Sequence, residues 1–372
     1  MDITYQLTKK QDFFQKNIET FVKQKISPRV SEIDREKEFP FEVIADLAGS
    51  RLLGLLVPPG EGGEGAGFLD LCLVLEGIAK VCPTSALICS VQNLGTRLLS
   101  SVGQSAQKES HLSDLMSGKA VFGYELPKVG LDLTDVSLSF SKKATGFVLN
   151  GSECYVVNGD AAHLICVFAK NDQITNCFLV ENQPQELEVT RSVGTAGAEA
   201  RATCKAVFTN CPISDHSLVG EEADGQKIMA DLITEASCFT AARSLGIAQG
   251  AFDYAIQYSA QREQFGRPIG KFQAIQVIIA DMGAKIEATR HLVYKAAAVM
   301  DQKSKERFRF SSIAKYFASK TAREVTTDAI QVAGGYGYTK DYPLEKMMRN
   351  AQLNQLLDGS NHAHQLAIAR SQ

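Results

Sequence analysis

Arg262, Phe265 and Gln273 stand within a dozen residues of one another in the stretch Gln261-Arg262-Glu263-Gln264-Phe265-Gly266-Arg267-Pro268-Ile269-Gly270-Lys271-Phe272-Gln273-Ala274-Ile275-Gln276. An arginine can fork a phosphate, an aromatic ring can cover an adenine and a glutamine can bond a carbonyl oxygen, so the stretch has the chemistry of a ligand-gripping corner. A plain interhelical loop with surface charges has the same composition, and composition alone favours that reading. For such side chains to act together, rigid elements must hold the loop on both sides. Residues 248–260 carry apolar side chains at helical spacing, and Ile275, Ile279, Met282, Ile286, Val293 and Met300 repeat in steps of mostly three and four, a helical period. Gly266, Pro268 and Gly270 break the two helices apart.

A second segment tips the balance. Asp328-Ala329-Ile330-Gln331-Val332-Ala333-Gly334-Gly335-Tyr336-Gly337-Tyr338-Thr339-Lys340-Asp341-Tyr342-Pro343 is followed by Met347-Met348-Arg349-Asn350-Ala351. Together with the first stretch, in this order and spacing, it closely resembles the acyl-CoA dehydrogenases over nearly the whole chain. The resemblance implies that FAD is held non-covalently across a subunit interface, with Arg262, Phe265, Gln273, Gln331, Gly334 and Gly335 as the matching grip positions. It also implies a homotetramer or homodimer, with a hetero-oligomer as a variant, and an electron-transferring flavoprotein as redox partner.

The chemistry the resemblance implies is α,β-dehydrogenation of an acyl thioester, or the reverse reduction. The carbonyl acidifies the α-carbon, a carboxylate takes that proton, and the β-hydrogen leaves as hydride to the flavin. The family's usual base is the glutamate of a tyrosine-glutamate-glycine-threonine element, and here Leu357-Asp358-Gly359-Ser360 stands in its place. Asp358 is therefore the candidate base, one methylene shorter, and Ser360 a candidate flavin contact. Asp-Gly-Ser-Asn is also an ordinary helix terminator, and both readings stay open at this point. Another branch of the family carries its base on the first helix of the C-terminal region; Glu235 lies within one residue of that place and ranks second.

The middle of the chain departs from the family. Glu125-Leu126-Pro127-Lys128-Val129-Gly130-Leu131 replaces the threonine-glutamate-proline and glycine-alanine-glycine-serine loop, so the hydroxyls are gone. Tyr155-Val156-Val157-Asn158 replaces tryptophan-isoleucine-threonine-asparagine, putting Val157 where a threonine reaches the flavin. Ser237 replaces an arginine beside the substrate, and Arg243 stands where glycine is common. Tyr124, Tyr155 and Val157 are candidates to line the isoalloxazine; as strand core residues they read equally well. These losses motivate one alternative, a non-catalytic subunit that lends its grip to a partner's flavin; the resemblance adds another, a flavin oxidase or monooxygenase on the same fold, as in relatives that act on carrier-bound or non-thioester substrates.

With 372 residues, 45% hydrophobic and 22% charged, the chain can bury a large core in two or three domains. Its net charge of -3 and lack of a long basic run argue against nucleic-acid binding. The start mixes both charge signs, so no signal peptide is expected, and no long uninterrupted apolar run suggests a transmembrane helix. Nine cysteines without CxxC spacing point to a reduced intracellular compartment, the cytoplasm. The texture changes twice. Residues 1–118 read as an N-terminal helical bundle in which Ile26-Ser27-Pro28 and Phe39-Pro40 break helices and Pro83 starts one. Residues 119–222 alternate in short runs such as Val136-Ser137-Leu138-Ser139-Phe140, separated by Asn150-Gly151, Asn158-Gly159 and Asn210-Cys211-Pro212, as in a small β-barrel or sandwich. Residues 223–372 return to long helices with a break near 334–343, read as a C-terminal four-helix bundle. The fold class expected is α+β with this helix, sheet, helix order.

Two motifs mislead. Gly60-Glu61-Gly62-Gly63-Glu64-Gly65 is a literal GxGxxG, but Pro58 and Pro59 interrupt the approach and two glutamates occupy the place of a pyrophosphate, so it reads as an interhelical loop. His362-Ala363-His364 has no ligand cluster beside it and reads as solvated or core histidines rather than a metal site.

Overall fold

The computed structural model describes residues 7–35, 39–127, 130–181, 186–191 and 203–371. Lys128 and Val129 of the passages above lie outside them. Helix α1 (Lys9–Phe21) opens with a capping box in which the Thr8 hydroxyl accepts from the Gln11 N–H and the Gln11 side chain accepts from the Thr8 N–H. Ile26-Ser27-Pro28 does not break the chain as expected. The helix runs on through a wide π turn (Val22–Ile26) and a 3-10 turn (Ser27–Arg29) into α2 (Val30–Arg35), because Pro28 sits in a first turn where its missing N–H is not needed. Next come α3 (Phe41–Gly49), α4 (Phe68–Ala79) and α5 (Pro83–Val102), with Pro83 in the first turn, and the short α6 (Ser105–Gln107) and α7 (Ser113–Met116). Between α3 and α4, Pro59–Glu61 forms a 3-10 turn, and Ser100 and Lys108 bond the Glu61 carboxylate at 2.6 and 3.1 Å. The GxGxxG is a loop between helices.

The middle of the chain forms strands β1 (Phe122–Glu125), β2 (Leu138–Lys142), β3 (Phe147–Val157), β4 (Leu164–Lys170), β5 (Thr175–Glu181), β6 (Leu187–Arg191), β7 (Thr203–Ile213) and β8 (Leu218–Val219). They pair in the order β6-β7-β3-β1-β4-β5-β8, and β2 pairs with both β3 and β4, so β1, β3, β2 and β4 close into a ring. Of the three expected turns, only Asn158-Gly159 ends a strand, with Asn158 at φ 58°. Asn150-Gly151 lies inside β3 and Asn210-Cys211-Pro212 inside β7. The β3–β7 register shifts around Gly151, so a bulge absorbs residues that sequence reading assigns to turns.

The C-terminal part consists of α8 (Gly225–Gln261), a hairpin of β9 (Glu263–Gln264) and β10 (Arg267–Pro268), α9 (Gln273–Asp301), α10 (Arg307–Ala333), a 3-10 turn (Gly334–Tyr338), α11 (Leu344–Leu353) and α12 (Asn361–Arg370). Helix α10 packs on α8, α9, α11 and α12, and α8 packs on α4 and α5. One continuous core therefore joins both helical parts and reaches Tyr124 and Val157 in the sheet, while a second core fills the sheet around Phe140, Phe147 and Phe178. No helix among the described residues is long and apolar enough to cross a membrane.

Candidate active site

The 262–273 corner is built by the end of α8 and the start of α9. Arg262 caps α8 in extended conformation, and its carbonyl accepts from the Ile269 N–H at 2.8 Å, closing the hairpin. Phe265 and Gly266, the two residues at its tip, have φ of 51° and 78°, the left-handed pair that a two-residue hairpin requires. The turn holds Phe265 outward, 92% exposed, edge-on to Phe272 at 6.2 Å. Across from it, the α10 helix stops at Ala333 because Gly334 takes φ 63° and ψ -145°. Arg262, Gly334, Gly335 and Tyr336 line one cavity of about 450 Å³, with the Arg262 guanidinium 5.6 Å over the Tyr336 ring. Neither Gly334 nor Gly335 has an atom within 4 Å of where a Cβ would be. Phe265, Gln273 and Gln331 lie exposed outside that cavity.

A second cluster, deep in the molecule, gathers four regions of the chain around one carboxylate. Asp358, 2% exposed, follows α11 with φ 57°. Its carboxylate accepts from the Tyr124 hydroxyl of β1 and from the Thr240 hydroxyl of α8, and Arg243 lies 3.6 Å away. Arg243 in turn donates to Ser90 of α5 at 2.7 Å and to Thr240 at 2.6 Å. Thr240 and Arg243 are three residues apart on α8, hence on one face. Gly359 beside them must be glycine twice over: its φ is 95°, and a Cβ would fall 2.1 Å from Leu133.

The other candidates separate from this cluster. Ser360 caps α12, accepting from the Ala363 N–H at 3.2 Å and donating to the Gly130 carbonyl at 3.2 Å. Glu235 is about 140° around α8 from Thr240, five residues at 3.6 per turn. It lines a cavity of about 120 Å³ between α5 and α8, 3.6 Å from Arg97, and burial pushes its carboxyl up to about 7. Val157, opposite Tyr124 in the β1–β3 register, is fully buried, whereas Tyr155 is 43% exposed. Glu125 is 6% exposed and accepts from the Phe168 N–H at 2.8 Å; burial pushes its carboxyl up to about 7. Ser237, also buried, has a hydroxyl with no hydrogen-bond partner among the described residues.

Sequence reading missed Thr240, Lys315 and His364 as parts of this site. The one available signal was Lys315, a charge set among Ser311, Ala314, Ala318 and Ala322 on the small-residue face of α10. All four are buried, and Lys315 is 0% exposed. His364, 0% exposed, is a core histidine, and His362 is exposed.

Comparison with known proteins identifies the family. The profile "Acyl-CoA dehydrogenase, N-terminal domain" matches residues 8–119 and "Acyl-CoA dehydrogenase, C-terminal domain" matches residues 223–372. The chain is 35% identical over 381 residues to cyclohex-1-ene-1-carbonyl-CoA dehydrogenase of Syntrophus aciditrophicus, covering 100% of this chain and 91% of that protein. Among solved structures it is similar to butyryl-CoA dehydrogenase of Megasphaera elsdenii, with TM-score 0.92, 32% identity and 99% of each chain covered. It is equally similar to a chain in a structure described as an electron transferring flavoprotein of Acidaminococcus fermentans, with TM-score 0.93, 32% identity and 99% of each covered. The chain belongs to the acyl-CoA dehydrogenase family, FAD-dependent oxidoreductases of the CH–CH bond of acyl-CoA thioesters.

Proposed function

We propose that this chain dehydrogenates, or in reverse reduces, a small acyl-CoA thioester with Asp358 as the base that takes the α-proton. One observation carries the assignment. A residue that only terminated α11 would spend its carboxylate on nearby amides, but Asp358 spends it on hydroxyls 234 and 118 residues away, inside the molecule. Tyr124, Thr240 and Arg243 orient the carboxylate, and the proton it gains would be held at one of its oxygens.

The residues present fit FAD. Arg262 offers a charged fork to a phosphate, and the side-chain-free Gly334 and Gly335 leave the cavity wall open to a close approach. Bound there, FAD would supply the acceptor for the β-hydrogen as hydride. Phe265, Gln273 and Gln331, exposed here, would reach a flavin bound by a neighbouring subunit, which makes the working unit an oligomer, a homodimer or homotetramer. Tyr155, with Tyr124, Val157 and Ser360, would line the isoalloxazine. The limits of the three parts fall at 118/119 and 222/223. The relatives' names favour a short or cyclic acyl group and an electron-transferring flavoprotein as acceptor, and the free cysteines are in keeping with the cytoplasm as the place of work.

A second reading, a non-catalytic subunit, draws on Arg243, which neutralises Asp358 from 3.6 Å, and on the complete burial of Val157. Anaerobic mixing with a panel of acyl-CoA thioesters, followed by flavin bleaching, separates the two. Asp358→Asn should slow bleaching by about 10²- to 10⁴-fold at unchanged FAD content. Arg262→Ala should weaken FAD retention by about 1.5 to 3 kcal/mol. Near-normal bleaching by Asp358→Asn would move the base to Glu235, with Glu235→Gln as the next variant. Neutral behaviour of both, with one FAD per two chains of a hetero-oligomer, would establish the non-catalytic subunit. Rapid reaction of the reduced flavin with oxygen would instead make the protein an oxidase.

A further inference from the structure

Behind Asp358 lies a cationic side chain that the dehydrogenation scheme does not use. Lys315 comes from the middle of α10 and is 0% exposed. Its ammonium donates to three oxygens of one short segment: the Gln355 carbonyl at 3.2 Å, the Gly359 carbonyl, and Asn361 Oδ1 at 3.0 Å. Ser319, one turn further along α10, donates to the same Asn361 oxygen at 2.9 Å. His364 of α12 completes the clasp, with Nε2 2.9 Å from the Asp358 carbonyl and Nδ1 3.1 Å from the Ser312 hydroxyl. A carbonyl only accepts, so Nε2 carries the hydrogen and Nδ1 accepts from Ser312. Burial first, then the Lys315 charge, pulls the His364 imidazole down to about 4, which keeps it neutral. The segment so held contains two consecutive residues with positive φ, Asp358 at 57° and Gly359 at 95°. Aspartate in that conformation is strained and persists only where its surroundings impose it.

We infer that Lys315 is a positioning residue for the α-proton base: its ammonium, bonded to both flanks of the 355–361 segment, fixes where the Asp358 carboxylate points. The inference rests on the reading of Asp358 as that base.

The three acceptors match the three hydrogens of an ammonium, whereas a neutral amine has two hydrogens and a lone pair that would face an oxygen. Burial pulls the Lys315 ammonium down to about 7, against the opposing pull of Asp358 and with a further push from Arg243. The groups around it are thus Asp358 on the segment itself, Arg243 on α8 and neutral His364 on α12, with Tyr124 of β1 donating to Asp358. Lys315 is protonated below about pH 7 and loses its third bond as pH rises through that value. Flavin reduction should accordingly carry an alkaline limb near pH 7 that reports the segment rather than the base.

The test compares the FAD-loaded wild type with Lys315→Gln. The variant should reduce its flavin about 10- to 100-fold more slowly, with KM within about twofold, since only alignment is lost. Its limb near pH 7 should vanish. Hydrogen–deuterium exchange provides a readout apart from turnover: amides of 355–361, corrected for intrinsic rates, should lose protection between pH 6 and 8 in the wild type and be unprotected at both in the variant. If Lys315→Gln does not fold, Asn361→Ala leaves the lysine in place and removes one acceptor, and the limb should then move to lower pH. Unchanged kcat, limb and exchange in Lys315→Gln, or an unmoved limb in Asn361→Ala, would overturn the inference. Loss of reduction in Asp358→Asn without loss in Lys315→Gln would refute the positioning role alone; retained reduction in Asp358→Asn would remove the base and the positioning together.

Discussion

Glu125 on β1 is 6% exposed, and the cost of its charge is set by burial. Its carboxyl is pushed up to about 7, and the Phe168 N–H opposes that shift only in part. Because the folded pKa lies above the ordinary 4.5, the folded state holds the proton more tightly than the unfolded chain. The resulting stabilisation is complete below pH 4.5 and is lost as pH rises through about 7. Glu125→Gln cannot ionise, so its melting temperature relative to wild type should be higher at pH 8 than at pH 5, by a few degrees. The same difference at both pH values would mean that Glu125 does not titrate in this range. At this scale the sequence was legible only where a motif supplied a position. Asp358 could be located by counting from Arg349, but a turn and a base look alike until the partners of the carboxylate are known. Lys315, Thr240 and Arg243 could not be read as one site, because they meet Asp358 only through the packing of α8 and α10.

The hairpin of β9 and β10 turns a helix end into a contact surface. Its I′ geometry needs left-handed backbone at Phe265 and Gly266, and a β-branched residue there costs about 1 to 2 kcal/mol locally. Gly266 has no atom within 4 Å of a would-be Cβ, and Phe265 is 92% exposed, so the hairpin lies off the core. Gly266→Val should leave the melting temperature nearly unchanged while reducing FAD recovered after gel filtration, read from absorbance. Undiminished FAD would separate the hairpin from the cofactor. The ends of α8 and α9 were legible because Gly266, Pro268 and Gly270 cluster in a hairpin closed by its own local pairing, Gln264 with Arg267. Asn150-Gly151, Asn210-Cys211-Pro212 and Ile26-Ser27-Pro28 misled for the opposite reason. Sheet pairing and helix packing on both sides override a local turn preference, absorbing it as a bulge or a π turn.

On the scale of the whole molecule, distant parts are tied by few but well-placed bonds. Asp301 at the end of α9 accepts from the Phe68 and Leu69 N–H groups at the start of α4, at 2.6 and 3.3 Å, so the C-terminal part caps a helix of the N-terminal part. Such ties, with the shared core, couple the two helical parts more closely to each other than to the outer half of the sheet. The nine cysteines are distributed in a way that makes this coupling measurable. All are buried; Cys72, Cys82, Cys89 and Cys238 lie in or beside helices α4, α5 and α8, and Cys154, Cys166, Cys177, Cys204 and Cys211 in strands. Burial pushes Cys89 and Cys211 up to about 12 and about 11, so a thiol reagent finds little thiolate even where it gains access. Each thiol therefore works as an embedded clock that starts only when its own neighbourhood opens. Mass-resolved alkylation in the native state should give two rates, Cys154 and Cys211 of the sheet's own core modified together and sooner, and Cys166 and Cys177, which belong to the shared core, later with the helix thiols. A single common rate would mean that the molecule opens as one unit, and that its sheet has no private route to unfolding.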